Sequence, residues 1–133
     1  MKISPELLDE VIAHARRDAP AECCGIVATR GGEAVSVHEL ENIHHSPLRF
    51  EMNGLKLFNL ITELEDQGLD LGAIYHSHTR SAAYPSQTDV NFARDWPGIE
   101  WLIIGLSGDE PEARSYLIDA AREITEVALG NGA

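Results

Sequence analysis

From Leu69 to Tyr75 the chain is apolar enough to be a buried strand, and it runs straight into His76-Ser77-His78. Side chains two apart on a strand share a face, so both imidazoles project together from the strand's end while Ser77 points away. The fold must therefore contain a sheet that carries two potential ligands at one end of a strand. The flanking segments supply helices. Ser4-Pro5-Glu6 joins an N-cap hydroxyl, a proline at the first helical position and a first-turn acid, and Leu7, Leu8, Val11, Ile12 and Ala15 follow at helical spacing. A helix is expected over 5–17. Cys24 to Ala28 and Ala34 to Leu40 are extended stretches separated by Gly31-Gly32, which reads as a hairpin. After a polar loop through Pro47, Asn53 caps a second helix with Leu57, Leu60, Ile61 and Leu64 on its apolar face, ending near Gly68. Ser86 begins a third helix, and 99–106 and 113–118 read as late strands. Helices interleaved with strands predict an α/β or α+β domain built on one sheet.

No repeat, low-complexity tract or dividing linker interrupts the 133 residues, and 44% hydrophobic content suffices for one continuous core, so a single domain over 1–133 is expected. The 22 acidic side chains against 10 basic ones give a formal charge of -12. Such a field repels phosphate backbones and anionic lipid, which argues against nucleic-acid and membrane binding. No window approaches the roughly 20 apolar residues that span a bilayer. The first residues run directly into an amphipathic pattern without the apolar stretch of a secretory signal, which points to the cytoplasm. Cys23 and Cys24 are sequence neighbours, poorly placed to bond to each other, and read as reduced thiols, one buried and one partly exposed. His14, His38, His44 and His45 read as surface residues, with Asn42 to Phe50 a possible rim of the cleft.

Neutral imidazole and carboxylate are ready ligands of zinc, and a catalytic zinc site uses three protein ligands with a fourth position for water. Asp89 is the best third ligand, because it lies in the first turn of the helix that follows the histidine pair by one short loop. Each fragment also has an ordinary use. A His-x-His pair can be polar decoration at a strand end, and Ser86-Gln87-Thr88-Asp89 fits a helix capping box.

Taken together, His76-Ser77-His78, seven residues, Ser86, two residues and Asp89 resemble the signature of the JAMM (MPN+) metalloproteases. Glu22, in Pro20-Ala21-Glu22-Cys23-Cys24-Gly25, occupies the place of that family's upstream glutamate. The resemblance extends from Ser4 to about Ile118. It implies a mixed sheet flanked by helices in the JAMM/MPN, cytidine deaminase-like fold. It further implies one zinc ion on His76, His78 and Asp89, Glu22 as general acid and base, and Ser86 as a hydroxyl that helps polarise the scissile carbonyl. Within the family, Tyr75 to Thr79, Ala83 to Asp89 and Arg114-Ser115-Tyr116 look like the small bacterial peptidases that act on sulfur-carrier proteins. That likeness implies hydrolysis after the Gly-Gly tail of a ubiquitin-like carrier, with release of cysteine or another adduct. The other readings are a deubiquitinase-like isopeptidase and a non-catalytic MPN docking module. The docking module would lack a ligand or the upstream acid, and neither is missing.

Overall fold

The computed structural model describes residues 1–131. In chain order its elements are β1 (Lys2–Ile3), α1 (Pro5–Asp18), β2 (Cys24–Arg30), β3 (Glu33–Leu40), α2 (Gly54–Asp66), β4 (Asp70–His78), α3 (Gln87–Ala93), β5 (Glu100–Gly105), β6 (Glu112–Ile118), β7 (Ile124–Val127) and β8 (Gly130–Asn131). The strands form one sheet in the order β7-β6-β5-β4-β2-β3-β1-β8. It is mixed: β4 pairs antiparallel with β2 and parallel with β5, whereas β2–β3, β5–β6 and β6–β7 are antiparallel. The three helices start where their caps predict. The Ser4 side chain accepts from the Leu7 N–H, Asn53 from Lys56 and Ser86 from Asp89. Each of these bonds satisfies one of the amide donors left over in a first helical turn.

Alternation along the strands divides the core between the two faces of the sheet. Cys23, Val27, Ala73, Tyr75, Leu102 and Ile104 pack on one face with Val11 and Ala15 of α1. Cys24, Ile26, Ile74 and Trp101 pack on the other with Leu57 and Leu64 of α2 and Val90 of α3. His76 follows Ile74 onto the second face, under α2 and α3. Gly31 and Gly32 turn the β2–β3 hairpin with φ of 59° and 78°, left-handed values that cost glycine little. Gly25 has a packing reason instead, because a Cβ there would lie 2.4 Å from the Tyr75 ring and 2.5 Å from the His38 carbonyl oxygen.

The two-residue strands β1 and β8 and the late strand β7 were not expected from the sequence. Elements so short carry too little alternation to be read, and they form because they complete the sheet's margins. Among the described residues, no helix is long and apolar enough to cross a membrane.

Candidate active site

β4 is held along both edges near its end, with His76 opposite Cys24 of β2 and beside Ile103 of β5, and His78 beside Gly105. His76 is wholly buried. Phe50 stacks on its ring at a centroid distance of 4.5 Å and an interplanar angle of 25°, and Trp101 meets it edge-on at 6.2 Å. The third donor arrives through the capping box at the start of α3. Ser86 Oγ accepts from the Asp89 N–H at 3.2 Å, and Asp89 Oδ2 accepts from the Ser86 N–H at 2.9 Å. Thus the helix cap also fixes where the Asp89 carboxylate sits. His76 Nε2 lies 3.1 Å from Asp89 Oδ1, His78 Nε2 lies 3.2 Å from Asp89 Oδ2, and the two imidazole nitrogens are 3.1 Å apart. All three side chains are buried, and their donor atoms fall within 4.8 Å of one another.

The chemistry of this set suits a divalent cation. His78 Nδ1 is 2.9 Å from the Ala82 carbonyl oxygen, which can only accept, so Nδ1 carries the proton and neutral His78 turns a lone pair toward Asp89 and His76. Burial works against ionisation of Asp89, but the charge and hydrogen bonds of His76 and His78 and the Ser86 N–H hold its carboxyl far below the usual carboxylate range. Burial also pulls the His78 imidazolium down, and the bond to Asp89 more than reverses this. The cluster therefore draws positive charge into a dry pocket.

Glu22 stands on the segment that leads into β2 and is only 6% exposed. Burial is the main reason its carboxyl is pushed up to about 7, with the nearby His78 opposing the rise and Asp89 adding to it. It shares a cleft of about 170 Å³ with His78, Ser86, Pro47, Leu48 and Thr79. Its backbone is fastened on two sides. The Glu22 N–H donates to the Ser46 carbonyl at 2.8 Å, and Asn42 Nδ2 donates to the carbonyls of Glu22 and Arg49, both at 3.0 Å. From the histidine strand, Ser77 Oγ accepts from the Cys23 N–H at 2.8 Å and Thr79 Oγ1 donates to the Pro20 carbonyl at 3.0 Å. The residue between the two histidines thus faces away from them, as strand geometry requires, and grips the segment that carries the acid. A carboxylate with a pKa near neutrality can accept a proton and return it within one reaction cycle.

Several sequence-level expectations change. His14 is buried, not superficial: Nδ1 shares a 2.6 Å hydrogen bond with the Tyr75 hydroxyl and Nε2 is 3.1 Å from Asp18 Oδ2. A helix-facing histidine can be buried when sheet and helix each supply a polar partner. Cys24 is as fully buried as Cys23, because Cys24 faces α2 and Cys23 faces α1. Both are free thiols, raised by burial to about 12 and correspondingly unreactive. His38 and His44 are half-buried and His45 is exposed. The 42–50 segment does border the site, through Pro47, Leu48 and Phe50. Within that rim, the sequence does not announce the bonds of Asn42 to the Glu22 and Arg49 carbonyls or the stacking of Phe50 on His76. Both are tertiary facts with no local pattern.

A mixed sheet with helices on both faces and a His-His-Asp cluster at the end of its central strand defines a peptidase domain of the JAB/MPN type. The model for prokaryotic homologs of the JAB domain matches residues 4–119, and the chain belongs to that family. Among curated relatives, a probable TtuB-protein conjugate cleaving protease of Thermus thermophilus is 39% identical over 124 residues, covering 92% of this chain and 79% of the relative. The CysO-cysteine peptidase of Mycobacterium tuberculosis is 33% identical over 123 residues, covering 90% of this chain and 84% of the relative. Among solved structures, protein DSY2949 of Desulfitobacterium hafniense superposes with a TM-score of 0.84 at 28% identity, covering 98% of this chain and 93% of the other. The JAB1/MPN domain protein AF2198 of Archaeoglobus fulgidus superposes with a TM-score of 0.65 at 21% identity over 98% of each chain, a likeness of fold.

Proposed function

We propose that this chain is a single catalytic domain over 1–133. It is a zinc peptidase that hydrolyses the amide bond after the C-terminal Gly-Gly tail of a ubiquitin-like sulfur-carrier protein, releasing cysteine or another adduct in the cytoplasm. The observation that carries this reading is the convergence of His76, His78 and Asp89 on one point beside a buried, nearly neutral-range Glu22. His76, His78 and Asp89 would hold one zinc ion. Bound there, zinc would supply Lewis acidity, lowering the pKa of a water and polarising the scissile carbonyl.

The remaining work belongs to the chain's own groups. Glu22 takes a proton from the attacking water and gives it to the departing amine, which could not leave as an amide anion. Ser86 Oγ borders the same cleft and donates where negative charge develops on the carbonyl oxygen; comparable donors contribute about 2.7 to 4 kcal/mol elsewhere. The Ala82 carbonyl keeps His78 in the required tautomer, and Phe50 excludes water from one face of His76.

A protein substrate agrees with the surface beside the site. Phe50, Met52, Leu57, Phe92 and Trp96 line an apolar groove of about 240 Å³, and Leu55 and Phe58 of α2 are 69% and 66% exposed. Apolar exposure on this scale next to a cleft marks a binding face. The names of the two relatives, one acting on TtuB conjugates and one on CysO-cysteine, favour a carrier tail. Mass spectrometry of a candidate carrier bearing a C-terminal cysteine, before and after incubation with the zinc-loaded protein, tests the reading. Loss of one cysteine residue mass is expected, and an unchanged adduct across every Gly-Gly carrier tried overturns it.

A further inference from the structure

The stretch 79–86 joins the histidine strand to α3 and carries two things the site uses. One is the Ala82 carbonyl, which accepts from His78 Nδ1 at 2.9 Å, and the other is Ser86, which caps the helix that bears Asp89. Ala82 is itself exposed, so its own packing does not aim its carbonyl. Its neighbour is seated instead. Ala83 is 1% exposed and rests on β5 and β6, clustered with Ile103 and Tyr116. Gly105 leaves the space for it, since a Cβ there would lie 2.9 Å from the Ala83 nitrogen. The Tyr116 hydroxyl donates to the Ala83 carbonyl. Tyr116 is 2% exposed, and the Tyr84 ring meets it edge-on at a centroid distance of 5.5 Å, so water competes little for that bond.

The Ala82 oxygen and the Ala83 nitrogen belong to one planar peptide unit. Holding Ala83 against Gly105 therefore fixes the direction of the Ala82 carbonyl, and the Tyr84 N–H, donating to the same oxygen at 2.8 Å, tightens the turn. Successive carbonyls of the loop reach different strands, that of Ala82 to His78 on β4 and that of Ala83 to Tyr116 on β6. Resting on the peptidase reading above, we propose that Tyr116 is a positioning residue: from a strand that bears none of the three ligands, its hydroxyl pins the loop so that the Ala82 carbonyl holds the His78 proton on Nδ1. Nε2 then keeps the lone pair that a metal requires. Without that hydroxyl, the Ala83 carbonyl lacks its donor and the loop lifts toward water. The His78 proton is then free to move to Nε2, where it blocks coordination.

The test compares Y116F with S115A. Ser115 is the next residue along β6, so it faces the other side of the sheet, and its Oγ donates to Glu100 Oε1 at 2.8 Å. Each variant removes one hydroxyl bond from the same strand, so a general loss of stability should fall on both alike. Zinc affinity, measured by competition with a chromogenic chelator, should weaken about tenfold in Y116F and stay unchanged in S115A. That is the lower end of what a group supporting a metal ligand from behind contributes. Histidine-selective nitrogen NMR of the metal-free proteins at alkaline pH should find the His78 proton on Nδ1 in the wild type and S115A, and redistributed toward Nε2 in Y116F. An unchanged zinc affinity or an unchanged His78 tautomer in Y116F overturns the anchor, as does an equal loss of zinc affinity in S115A. A wild-type chain that takes up no zinc overturns the peptidase reading instead, and the tautomers of the metal-free proteins then decide the anchor by themselves.

Discussion

Replacing Glu22 with Gln separates what this residue does for the reaction from what it costs the fold. The carboxyl is pushed from the ordinary 4.5 to about 7, chiefly by burial. The folded chain therefore keeps its proton over a range in which the unfolded chain has lost it. As pH rises from about 4.5 to about 7 the folded state binds more protons than the unfolded one, so stability falls through that window and levels off above it. At about 1.4 kcal/mol per pH unit the ceiling is about 3.5 kcal/mol, and contact with the water-admitting cleft reduces this to about 1–2 kcal/mol. Gln has nearly the same shape and no charge to desolvate. Metal-free E22Q should consequently match the wild type near pH ~4.5 and exceed it by about 1–2 kcal/mol near pH ~8 in urea denaturation. The zinc-loaded variant should keep its metal and lose about 10²- to 10⁴-fold in turnover, the usual cost of removing a general base. Equal stability at both pH values would refute the claim that burial holds the Glu22 carboxyl above its ordinary range. Near-wild-type turnover would remove it from the mechanism.

Three further outcomes follow from the geometry. A His76→Ala, His78→Ala double variant should fall from about one bound zinc per chain to near zero by elemental analysis, since Asp89 alone is a poor site. Ser86→Ala should lose about 0.5–2 kcal/mol of stability with its cap, whereas Ser86→Asp should keep the melting temperature yet lose most activity, because a carboxylate caps the helix but cannot donate to a developing oxyanion. Metal content measured in the same Ser86→Asp sample guards against a new ligand, and full activity with an unaltered site would leave Ser86 as a cap only. Gly25→Ala should be destabilised by at least about 1–3 kcal/mol, since the new methyl meets the Tyr75 ring and the His38 carbonyl, whereas Gly54→Ala, with nothing within 4 Å, should be neutral or slightly stabilising in a thermal melt.

What could be read from the sequence was what repeats or caps locally. Ser4, Asn53 and Ser86 mark helix starts through bonds within four residues, and the period of two on β4 places His76 and His78 on one face. The gap of ten residues between His78 and Asp89 is short enough for a loop and a helical turn to close. What escaped depends on distant partners. His14 is buried because Tyr75, 61 residues away, meets its ring nitrogen. Cys24 is covered by α2-side residues that no pattern near it announces. Asn42 reads as loop polarity until the Glu22 and Arg49 carbonyls are seen converging on its amide. The same holds for Phe50, whose stacking on His76 is a property of the folded loop.

The donor set is assembled from two elements of unequal persistence. His76 and His78 ride on β4, laced into the sheet on both edges, whereas Asp89 rides on α3, a helix of seven residues. A helix that short does not survive undocked, because its nucleation cost exceeds what so few turns return. Local opening of α3 therefore removes the carboxylate while leaving the imidazole pair in place, and such partial openings occur far more often than global unfolding. The off-rate of an ion held here, and its vulnerability to a chelator, should follow the amide-exchange rate of 87–93 rather than that of the sheet. On the proposed reading, β4 would keep a standing half-site, and α3 would set how quickly it fills and empties.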